Sequence, residues 1–432
     1  TTFDDLLAAL AAASGRDLSN FAADWLRSAG VNTLRAEFDV DADGIFTRLA
    51  IRQTATEQWP TLRHHRLAIG CYDQIDGRLT RTDRIEVDIA GSVTEIPEMV
   101  GRRRPALLLP NDDDLAYAKI RLDDDSLQTL VSGIGTLDSA LARALCWGAA
   151  WDMCRDAELS PADFVELALA GIDTETDSTA VGSLLSQSRT VIDYYTPPAA
   201  RAALNERFVA GIARLLKGAE RGSDHQLSYA RALAAAATTE PETEVVKAWL
   251  SGEESPQGLA IDTDLRWHLL TQLARAGAVG ADEIDAEFAR DNTARGAERA
   301  AGARAALPDP EQKAEAWRLA TVADTPNETQ YQICTNFAQV GQDDILLPYL
   351  PAYAELAAKI SAGTDGWSER SSVIRQNALG LLFPKTLLTR TRLAEFDAWL
   401  ASAHLNDSVA RQVGERRDDA ERALHCQEAA SS

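Results

Sequence analysis

The sequence contains no uninterrupted apolar run of about 18 residues, so no segment reads as a membrane-spanning helix. Basic residues are scarce: 43 Lys and Arg stand against 66 Asp and Glu, a formal net charge of −23. That deficit disfavours nucleic acid and an anionic membrane surface as partners. Cysteine is sparse too. Cys71, Cys146, Cys154, Cys334 and Cys426 are odd in number and widely spread. They fit free thiols in a reducing, cytoplasmic compartment better than a disulfide framework. The chain opens on Thr1-Thr2-Phe3, with no initiator Met and no basic-then-apolar leader. The expectation is a cut made inside a larger protein.

Chemical motifs are missing as well. Gly133-Ile134-Gly135 lacks the further Gly and the Lys of a phosphate loop. There is no Gly-x-Ser-x-Gly. A zinc-peptidase helix needs two His at i and i+4 with a Glu after the first, so that ligands and base share one face. The six histidines are His64, His65, His225, His268, His404 and His425; none is followed by Glu and no two are four apart. His64 and His65 are neighbours on an expected strand and point to opposite faces, so they cannot easily share an ion. No catalytic, cofactor-binding or metal residue is assigned in this chain.

What is present is organisation. Residues 1–32 read as two short helices. Phe3, Leu6, Leu7 and Leu10 mark the first; Leu18, Phe21, Ala22, Trp25 and Leu26 mark the second, with Asp17 or Ser19 as cap and Gly30 as stop. From 33 to 120 the period becomes two, through Ile45–Ile51, Arg63–Cys71 and Leu79–Ile89, with turn signals at Asp43-Gly44, Asp76-Gly77 and Gly91-Ser92. About seven short strands at this spacing predict a small β-sandwich. From 121 to 432 the chain reads as about fifteen helices joined by short loops, a large all-α superhelix of HEAT or armadillo type. Ser160-Pro161 and Thr325-Pro326 are expected helix starts with a hydroxyl cap and Pro in the first turn. Thr196-Pro197-Pro198 opens another helix.

Four segments invite sharper readings. Asp39-Val40-Asp41-Ala42-Asp43-Gly44 matches the first half of a calcium loop, but its twelfth position is Ala50 where a bidentate Glu is needed. A hairpin turn is the expectation. The acidic run Asn111–Asp114 is expected to be a solvated linker. Arg102-Arg103-Arg104 is expected to be a solvated loop, with pairing to a neighbouring acidic face as the alternative. Cys146 and Cys154, with Trp147 and Trp151 nearby, read as core packing.

Several stretches, taken in order, resemble one family. Ser14–Phe21 and Trp25–Asn32 look like the closing helices of the thermolysin-like catalytic domain of aminopeptidase N, a gluzincin. Leu109–Leu122, with Asn111–Asp114 and Tyr117, is similar to that family's junction between sandwich and helical domain. Leu265–Leu270, Lys313–Trp317 and Gln376–Pro384 resemble the helical domain, and the wording is similar to actinobacterial members. Gly30-Val31-Asn32 departs from the Gly-x-Pro of many members.

The resemblance implies a division of labour. The parent enzyme is a zinc aminopeptidase that removes N-terminal residues from peptides, with Glu as base to a zinc-bound water. Its His-Glu-x-x-His helix, further Glu ligand, Gly-x-Met-Glu-Asn strand and oxyanion Tyr have no counterpart here; Met99 and Met153 lie in no such motif. Residues 1–32 then end the missing catalytic domain, 33–120 are a spacer, and 121–432 are a lid over the substrate chamber. The implied partners are the N-terminal and catalytic domains of the same protein and peptides in the chamber, with zinc only in the parent. The chain alone is expected to be inactive. The alternative is a free-standing helical array for protein interaction. The exposed apolar face expected on the first two helices speaks for the former.

Overall fold

The computed structural model describes residues 2–15, 17, 18 and 21–431. It divides into two compact units, residues 1–176 and 177–432. The first opens with α1 (Phe3–Ser14). The Thr2 hydroxyl accepts from Asp5 N at 3.3 Å, and the Asp5 carboxylate accepts from Thr2 N at 2.7 Å. No residue of α1 is buried. Of the second helix the described residues show Phe21 in helical conformation and a π-helical turn at Ala22–Leu26, with Ala22 N donating to Leu18 O at 3.1 Å. Ser19, one expected cap, lies outside the described residues, as do the residues that Asp17 would cap. The carbonyls of Asp24, within the turn, and Ala29, beyond it, are taken by the buried guanidinium of Arg63, at 2.6 and 2.9 Å.

Seven strands follow among the described residues. They are β1 (Thr33–Val40), β2 (Phe46–Thr54), β3 (His65–Ile75), β4 (Arg78–Ile89), β5 (Val93–Glu95), β6 (Leu107–Asp112) and β7 (Lys119–Arg121). Two sheets result, ordered β5-β2-β1-β7 and β4-β3-β6. All pairs are antiparallel except β1 with β7. The period-two residues Leu49, Ile51, Leu67, Ile69 and Ile89 are buried, but so are Phe46, Ala50, Ala68 and Gly70 of the alternate set, because the middles of β2 and β3 are covered on both faces. The calcium-like loop is a hairpin turn: Asp41 Oδ1 accepts from Asp43 N and Ile45 N at 3.0 and 2.9 Å.

Both charged runs depart from the solvated expectation. Asn111 and Asp112 are buried at the end of β6. Arg81 bonds Asp112 and Asp113 at 2.8 and 2.9 Å, and Arg84 bonds Asp113 at 2.6 Å. In the basic run Arg102 pairs with Asp83 and Arg104 with Asp123; only Arg103 is exposed. The reason is shared. β6 enters the sandwich with polar residues still attached, and buried charge must find a partner.

The free edge of β6 is covered by α2 (Asp124–Gly133), which closes a row of backbone groups. Leu108 N donates to Ser126 Oγ at 3.0 Å, and Thr129 Oγ1 donates to Ala106 O at 2.8 Å. Next come α3 (Ala140–Arg155) and α4 (Pro161–Gly171). Ser160 caps α4 as predicted, accepting from Asp163 N at 3.1 Å. Cys146 and Cys154 are buried in α3, and burial pushes the Cys146 thiol up, so Cys146 is not poised as a thiolate.

The second unit contains α5 (Ser178–Thr190), α6 (Pro198–Gly218), α7 (Asp224–Ala236), α8 (Glu240–Ser251), α9 (Thr263–Arg275), α10 (Ala281–Arg290), α11 (Ala294–Ala306), α12 (Pro310–Thr321) and α13 (Asn327–Phe337). After them come α14 (Asp343–Leu346), α15 (Tyr349–Ala362), α16 (Ser372–Leu381), α17 (Arg390–Ser402) and α18 (Asp407–Ala429). The odd-numbered α5 to α13, then α16, pack side by side as one layer; α6, α8, α10 and α12 pack on them as a second. Thr325 does not cap α13. Its hydroxyl donates to Leu319 O at 2.7 Å, so it finishes α12 and leaves the helix to start after Pro326.

Neighbouring hairpins cap one another. Asn205 Nδ2 donates to Ala236 O at 2.9 Å, Arg275 to Ala235 O at 2.8 Å, and Gln342 Nε2 to Ala306 O at 2.9 Å. Each satisfies a carbonyl that a helix end leaves open. The long α18 packs against the π turn Val191–Tyr195 that follows α5, where Gln427 Nε2 donates to Tyr194 O at 2.7 Å.

Candidate binding groove

Four consecutive odd-numbered helices each present polar residues toward one hollow of about 350 Å³. The spacing is one helical turn: Trp267 and Thr271 on α9, Arg295 and Arg299 on α11, Gln332 and Asn336 on α13. Arg231 of α7 and His268 of α9 complete its wall. The opposite faces of these helices carry the core, with Leu265, Leu269, Leu270 and Leu273 buried on α9. Close approach of α11 and α13 depends on Gly302. A Cβ there would lie 3.1 Å from Asn336 Nδ2 and 3.2 Å from Gln332 O.

The groove is locally basic within an acidic chain. Arg299 pairs with Asp264 and holds its carboxyl below the usual carboxylate range. Arg231 and Arg295 have no carboxylate at ion-pair distance among the described residues. Trp267 is fixed by its indole N–H, which donates to Asp291 Oδ2 at 2.8 Å. His268 Nε2 lies 3.0 Å from the carbonyl of Arg231, and burial pushes its pKa down to about 4. The ring is therefore neutral near pH 7, with its Nε2 proton on that carbonyl.

Beside this hollow lies a second, of about 430 Å³, sharing Arg231 and His268. Leu185, Phe208, Ala232 and Ala235 make it mainly apolar, with Arg189, Asp193 and Tyr194 also in its lining. Burial pushes the Tyr194 phenol up to about 12, so it is a neutral donor. Cationic and amide groups thus line one hollow and mainly apolar groups its neighbour, with Arg231 and His268 common to both.

No three His, Cys, Asp or Glu side chains converge to hold a metal among the described residues. The residues present do not fit zinc. The histidines are dispersed: His64 bonds Asp24 at 2.8 Å, His65 is buried beside Gln53 and Asn32, His268 lines the groove, and His225 meets the ring of Tyr229 at 6.0 Å. No described helix is long and apolar enough to cross a membrane.

The sequence reading missed the groove. Its residues come from four separate helices and carry no motif. The available signal was a polar or basic pair at i, i+4 on every second helix, within a chain short of basic residues.

Comparison with known proteins bears on the whole chain. The sequence model of the ERAP1-like C-terminal domain matches residues 107–422. The chain is 45% identical over 438 residues to the Aminopeptidase N of Streptomyces lividans. That match covers 99% of this chain and 50% of the relative, so the chain spans about half the length of the curated relative it matches.

Proposed function

The chain belongs to the ERAP1-like C-terminal domain family and corresponds to a C-terminal portion of an aminopeptidase N, and on that footing we propose that it is the non-catalytic part of a zinc aminopeptidase. In this reading the preceding half holds the zinc and cleaves N-terminal residues from peptides in the cytoplasm. Residues 1–32 complete its catalytic domain, the sandwich of 33–120 is a spacer, and the helices of 121–432 form the lid of the substrate chamber.

The groove gives the lid its chemistry. Arg231 and Arg295 attract the anionic groups of a bound peptide, while Gln272, Gln332 and Asn336 offer donors and acceptors to its backbone. These groups bind and orient the segment beyond the scissile bond; holding the reacting end in register is worth rate. The observation that carries the reading is the match along 99% of the chain to an aminopeptidase N, with a basic groove in a chain of net charge −23.

The test is hydrolysis of fluorogenic aminoacyl amides. The chain alone, with or without added zinc, is expected to turn over none. Mixed with the half of the Streptomyces lividans Aminopeptidase N that it does not cover, it is expected to bind and to change preference among peptides of different length. Turnover by the chain alone overturns its inertness, and absence of binding at high micromolar concentration overturns the lid.

A further inference from the structure

The first unit gathers uncovered apolar side chains around the segment that leads into β1. Tyr117 is 75% exposed, Leu115 48% and Trp59 45%. Their nearness to that segment is fixed by two contacts. Gly30 lies against Trp59, where a Cβ would come within 2.6 Å of the indole-bearing Cβ. Lys119 N donates to Asn32 O at 2.9 Å, and β7 pairs Lys119 with Thr33, which brings the 113–118 loop alongside. Further back, Arg27 lies 5.8 Å over the ring of Phe3 and 3.6 Å from Asp4, tying α1 to the same segment. Phe3, Leu6 and Leu10 of α1 are uncovered, as are Phe21 and Leu26. A 12-residue helix without one buried residue lacks the tertiary packing that short helices rely on.

The loop that presents Leu115 and Tyr117 is built outward. Asn111, Asp113 and Asp114 have φ of 62°, 64° and 55°, the left-handed region that non-glycine residues seldom occupy. The Asn111 side chain holds them there, donating to Ala116 O at 2.8 Å and accepting from Ala116 N at 2.9 Å. Arg84 anchors Asp113 from β4. Such conformations persist only when the surroundings enforce them. The enforced result holds an aromatic ring in solvent, where it gains nothing from its own sandwich.

We infer that Trp59, Leu115 and Tyr117 form a docking surface on the sandwich for the preceding half of the aminopeptidase. The inference rests on the proposed function and adds that the sandwich touches that half directly, through side chains, beyond the covalent connection. The occupant follows from length and position. The relative has as much chain again as this one covers, and the surface surrounds the segment by which a C-terminal portion joins what comes before. A preformed loop lowers the ordering cost of such a contact.

The probe is the half of the Streptomyces lividans Aminopeptidase N that this chain does not cover, titrated into the purified chain. The double variant L115S/Y117S is expected to weaken binding by about tenfold or more, as central apolar contacts do. Val322, 69% exposed in the second unit, supplies the control, and V322S is expected to bind as the wild type. Both variants alter exposed side chains, and circular dichroism is expected to be unchanged. A second readout uses the burial of all five native cysteines. A polarity-sensitive thiol dye on Y117C is expected to shift to the blue when the half is added.

Binding that L115S/Y117S leaves unchanged, or a dye that does not shift, overturns the docking surface while leaving the proposed function standing. No binding by the wild type overturns both. Self-association of the chain that L115S/Y117S abolishes makes a second copy the occupant and overturns the inference.

Discussion

The ammonium of Lys313 lies 2.6 Å from the carbonyl oxygen of Phe337, at the end of α13, and 2.6 Å from that of Ala305, near the end of α11. The side chain is fully buried and has no carboxylate partner among the described residues. One cation thus serves the negative ends of two adjacent helices. Burial alone pushes its pKa down to about 7.

Lys313→Met is therefore expected to leave two buried carbonyls unpaired and to destabilise the second unit by roughly 1–3 kcal/mol. The sign with pH follows from the lowered pKa. Between about 7 and 10.5 the unfolded chain holds the proton more tightly than the folded one. Stability from this group is present above 10.5 and lost as pH falls toward 7. Denaturant melts of wild type and variant at pH 7 and pH 9.5 check this. The gap in favour of the wild type is expected to widen at the higher pH.

His65 sets an acid limit on the sandwich. Its Nε2 faces Gln53 Oε1 and Asn32 Oδ1 at 3.1 and 3.3 Å, while its buried Nδ1 has no partner. A second proton would have no acceptor, and burial lowers the pKa to about 4. The stability this represents is complete above 6.5 and is lost as pH falls through 4, at about 1.4 kcal/mol per pH unit. His65→Gln is expected to flatten that slope in urea melts between pH 6.5 and 4.5.

Arg63 tests how the terminal segment is held. It is buried, bonds the carbonyls of Asp24 and Ala29, and lies 5.3 Å over the ring of Trp25. Arg63→Met is expected to free residues 21–32 from the sandwich at a cost of about 2–4 kcal/mol. Limited proteolysis is the measurement. Cleavage between 15 and 32 is expected to speed up, with the helical unit unchanged.

The groove makes a kinetic prediction for the reconstituted enzyme. Arg231→Glu with Arg295→Glu reverses the charge without touching the core. For peptides of several residues, kcat/KM is expected to fall by about tenfold or more. Aminoacyl amides, which carry no peptide segment beyond the scissile bond, are expected to change by less than about twofold. Equal losses on both substrates would remove the peptide-binding role.

Strands were legible where burial is one-sided. Arg63, His65 and Leu67 are buried while His64 and Arg66 face solvent, although from Leu67 to Tyr72 the same strand is buried on both faces. β6 was harder to read, because Leu107–Asp112 is buried on every side and ends in polar residues that sequence alone assigns to solvent. Arg81 and Arg84, which explain the burial of Asp112 and the anchoring of Asp113, lie about thirty positions earlier. Caps were legible when local, as at Ser160, and failed at Thr325 because Leu319 competes for its hydroxyl. The groove was illegible for the same reason as β6. Its partners meet only after the helices have stacked.

The contact of Gln427 with Tyr194 joins positions 233 residues apart. An open stack of hairpins frays from either end, one neighbour at a time. Here the final helix is also a neighbour of the first hairpin, so neither end is a terminus in the energetic sense. Loosening α18 exposes the π turn after α5, and loosening that turn strips α18. The array should melt as one closed body rather than by peeling. Its folding must also wait for the longest loop in the unit to close, and distant closures slow folding more than they alter stability.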